Sequence, residues 1–187
     1  MRDYLESLRR SGDLFVIERP VDPRFELAAV TRAAQRAGDA ALLFTNVKGA
    51  SMPVAINVYG SRRRLAQAIG AQPAGFCKRF AELTAAGQSS DGPATESVAA
   101  PPLRTGRLSD LPALTYFERD AGPYITAGIF VARDPDTGAS NLSFHRAMIV
   151  SDGELRIRLG STHDLARYQQ IAESRGEALP AAILLGV

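Results

Sequence analysis

The chain has 187 residues, 45% of them hydrophobic and 22% charged, with a formal charge of +2 and a pI near 8.9. That composition suits one large or two small globular domains, and arginines scattered instead of striped leave no footprint for nucleic acid. A single cysteine excludes a disulfide framework and a cysteine-based zinc site, and no apolar run reaches the roughly 18 residues of a membrane span.

The opening MRDYLESLRRSGD has no long apolar core of a signal peptide, so the expectation is a soluble, cytoplasmic protein. Leu5 and Leu8, three apart among charged residues, predict a short amphipathic helix over 2–11 that Gly12 stops. Leu14 to Ile17 reads as a buried strand. Asp22-Pro23 then marks a helix start, with Asp as cap and Pro at the first helical position, and Gly38 ends it. Ala41–Thr45 and Pro53–Val58 are the next strands. Ser61 is the cap of a helix carrying Leu65, Ala68 and Ile69, and Arg62-Arg63-Arg64 reads as its solvated start. Phe76, Phe80 and Leu83 predict a helix over 74–86, in which Cys77 is expected as a small core residue. Strands alternating with helices point to a small α/β layer over 1–87.

Residues 87–102, GQSSDGPATESVAAPP, are poor in large apolar side chains and place a connection over 88–110. Beyond it the pattern turns to strands. Tyr124–Arg133 and Asn141–Val150 are rich in β-branched and aromatic residues, and Asp134-Pro135-Asp136-Thr137-Gly138 between them is hairpin chemistry. Ser151-Asp152-Gly153 turns into a third strand, Glu154–Leu159, so a barrel or curved sheet is expected from 111 to 187. A helix over 164–175 and a strand over Ala181–Leu185 follow. That last run is so apolar that it calls for partners on both sides, and a chain continuing past Val187 is expected.

The polar residues that interrupt these strands are the candidate site. Asn141 and His163 are legitimate ligands for a divalent metal, Arg146 offers a planar fork for a carboxylate or phosphate, and Thr126 adds a hydroxyl from the opposing strand. Alternation sets a condition. Asn141 and Arg146, five apart, face opposite sides of a regular strand, and they share one cavity only across a bulge or a late strand start. His145 shares the face of Asn141 and competes with His163 as a ligand.

The chain resembles the N-terminal part of the UbiD family of prenylated-flavin-dependent decarboxylases. The resemblance rests on Val21-Asp22-Pro23 through Glu26, Leu43 to Gly49, Met52-Pro53-Val54 with Asn57, and Gly60-Ser61-Arg62-Arg63 leading to Ala68-Ile69-Gly70. In the second half it rests on Asp120 to Gly128, Arg133-Asp134-Pro135 with Thr137-Gly138, and Asn141 with Arg146. It implies a mixed α/β (α+β) fold, with a small N-terminal α/β domain followed by the first part of a split β-barrel that binds prenylated FMN. It implies a divalent metal, manganese or magnesium, held by Asn141, His163 and a Glu further along, with potassium as an accompanying ion. Arg146 would orient the substrate carboxylate, and Thr126, Ser143, Phe144, His145, Arg158, Leu159 and Gly160 would contact the cofactor. The implied substrate is a small aromatic or α,β-unsaturated carboxylic acid, the implied partner a flavin prenyltransferase, and the full-length form a homo-oligomer. The third ligand and the acidic proton donors lie beyond residue 187, so the fragment alone is expected to be inactive. Two rival readings are a non-catalytic binding or assembly module and a binder of ordinary flavin.

Overall fold

The computed structural model describes residues 1–86 and 105–186. The connection expected over 88–110 therefore lies mostly outside the described residues, and only its end, with a 3-10 turn at Leu108–Asp110, is seen. The fold is mixed α/β with two sheets, as the sequence predicts.

The first sheet has the order β1-β2-β3, from β1 (Leu14–Ile17), β2 (Ala41–Phe44) and β3 (Val54–Ile56). β1 and β2 run parallel, Leu14 opposite Ala41 and Ile17 opposite Phe44. Parallel neighbours need a crossover, and the helix between them, Glu26–Ala37, supplies it. We number that helix α2, after α1 (Arg2–Arg10). Its inner face drops Leu27, fully buried, onto Val21, Leu42, Phe44 and Val47. Leu114 joins the same core from beyond the connection.

α2 starts later than Asp22-Pro23 predicts. The Asp22 carboxylate accepts from the Arg24 N–H, closing a local turn, while the Glu26 carboxylate accepts from the Asp22 N–H. The helix begins only after Phe25, whose own N–H is drawn off to the Thr115 carbonyl at 2.9 Å.

The basic run at α3 (Arg62–Ala68) is not a solvated helix start. Arg63 pairs with Asp13, and Arg62 lies over the Phe76 ring. Arg64 is 1% exposed and donates to the carbonyls of Val58 (3.1 Å), Asp39 (2.5 Å) and Asn57 (2.9 Å). Asn57 adds to this knot by donating to the Asp39 and Ala40 carbonyls from a left-handed backbone, φ 57°. The turn closes so tightly on Asn57 that a Cβ at Gly60 would sit 1.9 Å from its Oδ1. Asn57 and Gly60 are thus fixed by geometry. Cys77, expected in the core, is exposed on α4 (Phe76–Ala86), where Phe80 and Leu83 are also open to solvent among the described residues.

The second sheet has the order β6-β5-β4-β7, all antiparallel: β4 (Tyr124–Arg133), β5 (Ser140–Ser151), β6 (Glu154–Ile157) and β7 (Ala181–Leu184). One face is covered by α5 (Asp164–Ser174), whose Leu165 and Tyr168 pack on Ile125, Phe130, Ala132 and Ala147. Ion pairs tie α5 to the hairpin turn. Arg175 reaches Asp136, and Arg167 donates to Asp134 at 2.6 Å. Asp134 also accepts from the Asp136 N–H at 2.8 Å, and the Arg167 hydrogen bond holds its carboxyl below the ordinary value of 3.8.

Two outcomes follow from these contacts. Replacing Arg64 by Met removes three hydrogen bonds, although the Asp39 and Asn57 carbonyls keep donors in Asn57 Nδ2 and the Gly60 N–H, and should cost about 1–3 kcal/mol in a urea unfolding experiment, chiefly through the buried Val58 carbonyl. Asp134 has a depressed folded pKa, so its contribution is complete well above pH 3.8 and fades as pH falls through the folded value. Asp134→Asn should therefore lower stability at neutral pH and flatten the acid limb of the stability–pH curve.

Candidate active site on the two faces of β5

β5 is regular where the site residues lie. Asn141 pairs opposite Ala132, Ser143 opposite Phe130 and His145 opposite Gly128. The register shift falls on β4, where Thr126 and Ala127 lie between the partners of His145 and Ala147 and so face Arg146 two to one. Strand alternation on β5 is therefore unbroken from Asn141 to Met148, and its irregularity against β6 falls later, between Ile149 and Ser151. Asn141, Ser143, His145 and Ala147 look towards α5, while Leu142, Phe144, Arg146 and Met148 look the other way. Neither condition for bringing Asn141 and Arg146 into one cavity, a bulge in β5 or a late strand start, is met.

On the α5 side, Asn141 donates from its amide nitrogen to the Asp164 carboxylate at 3.3 Å, which leaves its side-chain carbonyl oxygen uncommitted. His163 stands at the N-terminal cap of α5, exposed, with its ring centroid 5.5 Å from that of His145. A Cβ at Gly160 would lie only 3.2 Å from the His163 ring, so glycine is what lets the ring close over this turn. His145 is 6% exposed, meets Phe130 edge-on and shares a 2.9 Å hydrogen bond with Ser143 Oγ. Burial first, and then the neighbouring His163, push its pKa below 6.5, which keeps the ring neutral. The Nε2 of His145 is thus engaged by Ser143, while the His163 ring is exposed. Leu159 packs into the core beneath α5.

The other side of β5 opens into a cleft of about 1510 Å3 between α2 and the second sheet. Thr126, Arg146 and Arg158 line it, and Thr126 shares a 3.0 Å hydrogen bond with the Tyr116 hydroxyl. The loop from Arg158 to His163 carries the chain from the cleft to the α5 side, so it touches both halves of the candidate site. Phe144 is 71% exposed on the cleft-side face. The cleft is open to solvent and larger than the ~300–1,000 Å3 usual for a single small ligand.

Sequence reasoning missed the opposite wall. Phe25, Ala28, Ala29 and Arg32 from α2 and its cap line the cleft, with Arg119 from the segment before β4. Phe25 has φ 69° and ψ −43°, and the Glu26 N–H donates to the Arg24 carbonyl across it at 2.8 Å, the strained form of γ-turn. The strain is held by the bond from Phe25 N–H to Thr115 and the return bond from Thr115 N–H to the Pro23 carbonyl. The spacing of Phe25, Ala29 and Arg32 along a helix face was the available signal, but nothing in it says that the face meets a cleft.

The profile of the 3-octaprenyl-4-hydroxybenzoate carboxy-lyase N-terminal domain matches residues 5–84, and that of the Rift-related domain of the same enzymes matches residues 87–187. The chain belongs to this UbiD family. It is 35% identical to the anhydromevalonate phosphate decarboxylase of Methanothermobacter thermautotrophicus, with 100% of this chain and 42% of that protein aligned. Among solved structures it is similar to the UbiD-class enzyme HmfF from Pelotomaculum thermopropionicum in complex with prenylated FMN, at 31% identity and a TM-score of 0.83, covering 100% of this chain and 44% of that one. The vanillic acid decarboxylase of Sedimentibacter hydroxybenzoicus gives 28% identity and a TM-score of 0.81, covering 99% and 42%. The chain thus spans less than half the length of these relatives. Among the described residues, no helix is long and apolar enough to cross a membrane.

Proposed function

We propose that residues 1–187 form the N-terminal part of a decarboxylase that reversibly and non-oxidatively removes carbon dioxide from an aromatic or α,β-unsaturated carboxylic acid. It would use prenylated FMN and a divalent metal. In this reading residues 1–87 are the α/β domain and 111–187 the first part of a split β-barrel. The observation that carries it is the two-faced arrangement on β5 within a chain of this family. A ligand-type pair, Asn141 and His163, stands on one side and a guanidinium without an ion pair among the described residues, Arg146, on the other.

The donor set fits a divalent cation in part. Asn141 offers Oδ1 and His163 a ring nitrogen, a hard and a borderline ligand of the kind manganese or magnesium accepts. No group of three or more His, Cys, Asp and Glu gathers to hold a metal among the described residues, so further ligands come from outside them. Asn141 and His163 would hold the metal, which would supply positive charge against a flavin phosphate. Thr126 and the Arg158–Gly160 loop line the path of the cofactor, and the prenylated flavin, when bound, supplies the electron sink for the departing carbon dioxide. Arg146 grips the substrate carboxylate through parallel N–H···O bonds and holds it for loss. The name of the curated relative describes a decarboxylase whose substrate carries phosphate, which favours a phosphorylated acid here too.

The test uses the complete polypeptide containing these residues, produced in cells that make prenylated flavin. Asn141→Ala and His163→Ala should each lower manganese content and flavin loading at least tenfold, read by metal analysis and flavin absorbance. Arg146→Ala should retain both and lose decarboxylation about a hundredfold or more. Flavin binding without metal dependence would instead support an ordinary-flavin binder, and no flavin binding at all a non-catalytic module.

A further inference from the structure

The cleft carries more positive charge than the substrate carboxylate and a metal-bound phosphate require. Arg32, Arg119, Arg146, Arg156 and Arg158 line it against two carboxylates, Glu118 and Asp120. Asp120 is already committed, accepting from the Tyr116 and Phe117 N–H groups at 3.0 Å. Arg156 is paired with Glu154 at 3.3 Å. Arg32 and Arg119 make no ion pair among the described residues, and both are exposed. Arg32 comes from α2 and Arg119 from the segment before β4, whereas Arg146 comes from β5 and Arg158 from just past the end of β6.

The wall that holds Arg32 is shaped for a ligand. Arg32 lies seven positions after Phe25, the cap of α2, and both line the cleft. Between them Ala28 and Ala29 also line the cleft and leave it open. The strained backbone at Phe25 holds that residue at one end of this lining, and Arg32 stands at the other.

Resting on the decarboxylase reading, we propose that the cleft selects a substrate that is anionic at both ends: the carboxylate at Arg146, and a phosphate monoester at Arg32 and Arg119. Two guanidiniums match the ≈ −1.5 to −2 charge of such a group near neutral pH. Arg32 and Arg119 are then specificity residues of the α2 wall.

The test is calorimetric titration of the complete polypeptide with 3-phosphoglycerate, which carries both groups, and with glycerate, which lacks the phosphate. 3-Phosphoglycerate should bind at least tenfold tighter, and the advantage should shrink as salt rises. Arg32→Gln and Arg119→Gln should each remove most of that advantage and leave glycerate binding unchanged. Arg36→Gln, on the same helix but outside the cleft lining, should change neither and controls for folding. Equal binding of the two probes, no binding of either, or equal losses for both probes in Arg32→Gln would overturn the proposal. Flavin absorbance in the same samples separates the two readings. Flavin bound without phosphate discrimination rejects only the α2-wall role, while absence of flavin in wild type rejects the decarboxylase itself.

Discussion

On β5 successive side chains fall on alternate faces, so Asn141, Ser143 and His145 look towards α5 while Arg146 looks into the cleft. The ladder to β4 absorbs its one irregularity on the β4 side, at Thr126 and Ala127, and the alternation of β5 stays intact. A polar row can lie under α5 only because each member has a partner: Asn141 with Asp164, Ser143 with His145. Neutral His145, packed on Phe130, joins this row to the apolar core without bringing in a buried charge. A slip of one residue in β5 would bury Arg146 under α5 and send the row to the cleft. The register of the hairpin, fixed by Asp134 and its bonds to Asp136 and Arg167, therefore also fixes which chemistry faces which side.

The cleft depends on a second join, between the two sheets. On either side of Arg24, the Phe25 N–H donates to the Thr115 carbonyl and the Pro23 carbonyl accepts from the Thr115 N–H, and Leu114 is buried in the core beneath α2 while its carbonyl accepts from Tyr124 at the start of β4. This short parallel bridge sets α2 opposite the face of Arg146. The strain at Phe25 is tolerated because bonds on both sides of it over-determine the turn. Leu142 and Phe144, 68% and 71% exposed, share the face of Arg146, so that face combines apolar surface with a guanidinium. In the proposed function this is the side on which ring and carboxylate lie.

Much of this was legible in the sequence because it is periodic and local. Strand alternation located β4, β5 and the turn between them, and it raised the facing of Asn141 and Arg146 as a question that only coordinates could answer. Other features were hidden because their causes are tertiary. Arg64 looks like its neighbours Arg62 and Arg63, yet the carbonyls of Asn57 and Val58 and that of the distant Asp39 converge on it. Asp22 has the chemistry of a cap, but the competing bond from Phe25 to Thr115 delays the helix. Cys77 sits in an apolar helix pattern whose face is left exposed. Arg32 and Arg119 are ordinary surface arginines until the fold lines one cleft with them and Arg146.

The central claim is that β5 divides the site, with metal on the Asn141 and His163 face and substrate carboxylate on the Arg146 face. The most direct measurement is anomalous diffraction at the manganese edge from crystals of the complete, flavin-loaded polypeptide. The account expects one manganese peak within about 2.0–2.3 Å of Asn141 Oδ1 and a His163 ring nitrogen, with none at Arg146. Manganese seated in the cleft beside Arg146, or held by His145 in place of His163, would contradict it.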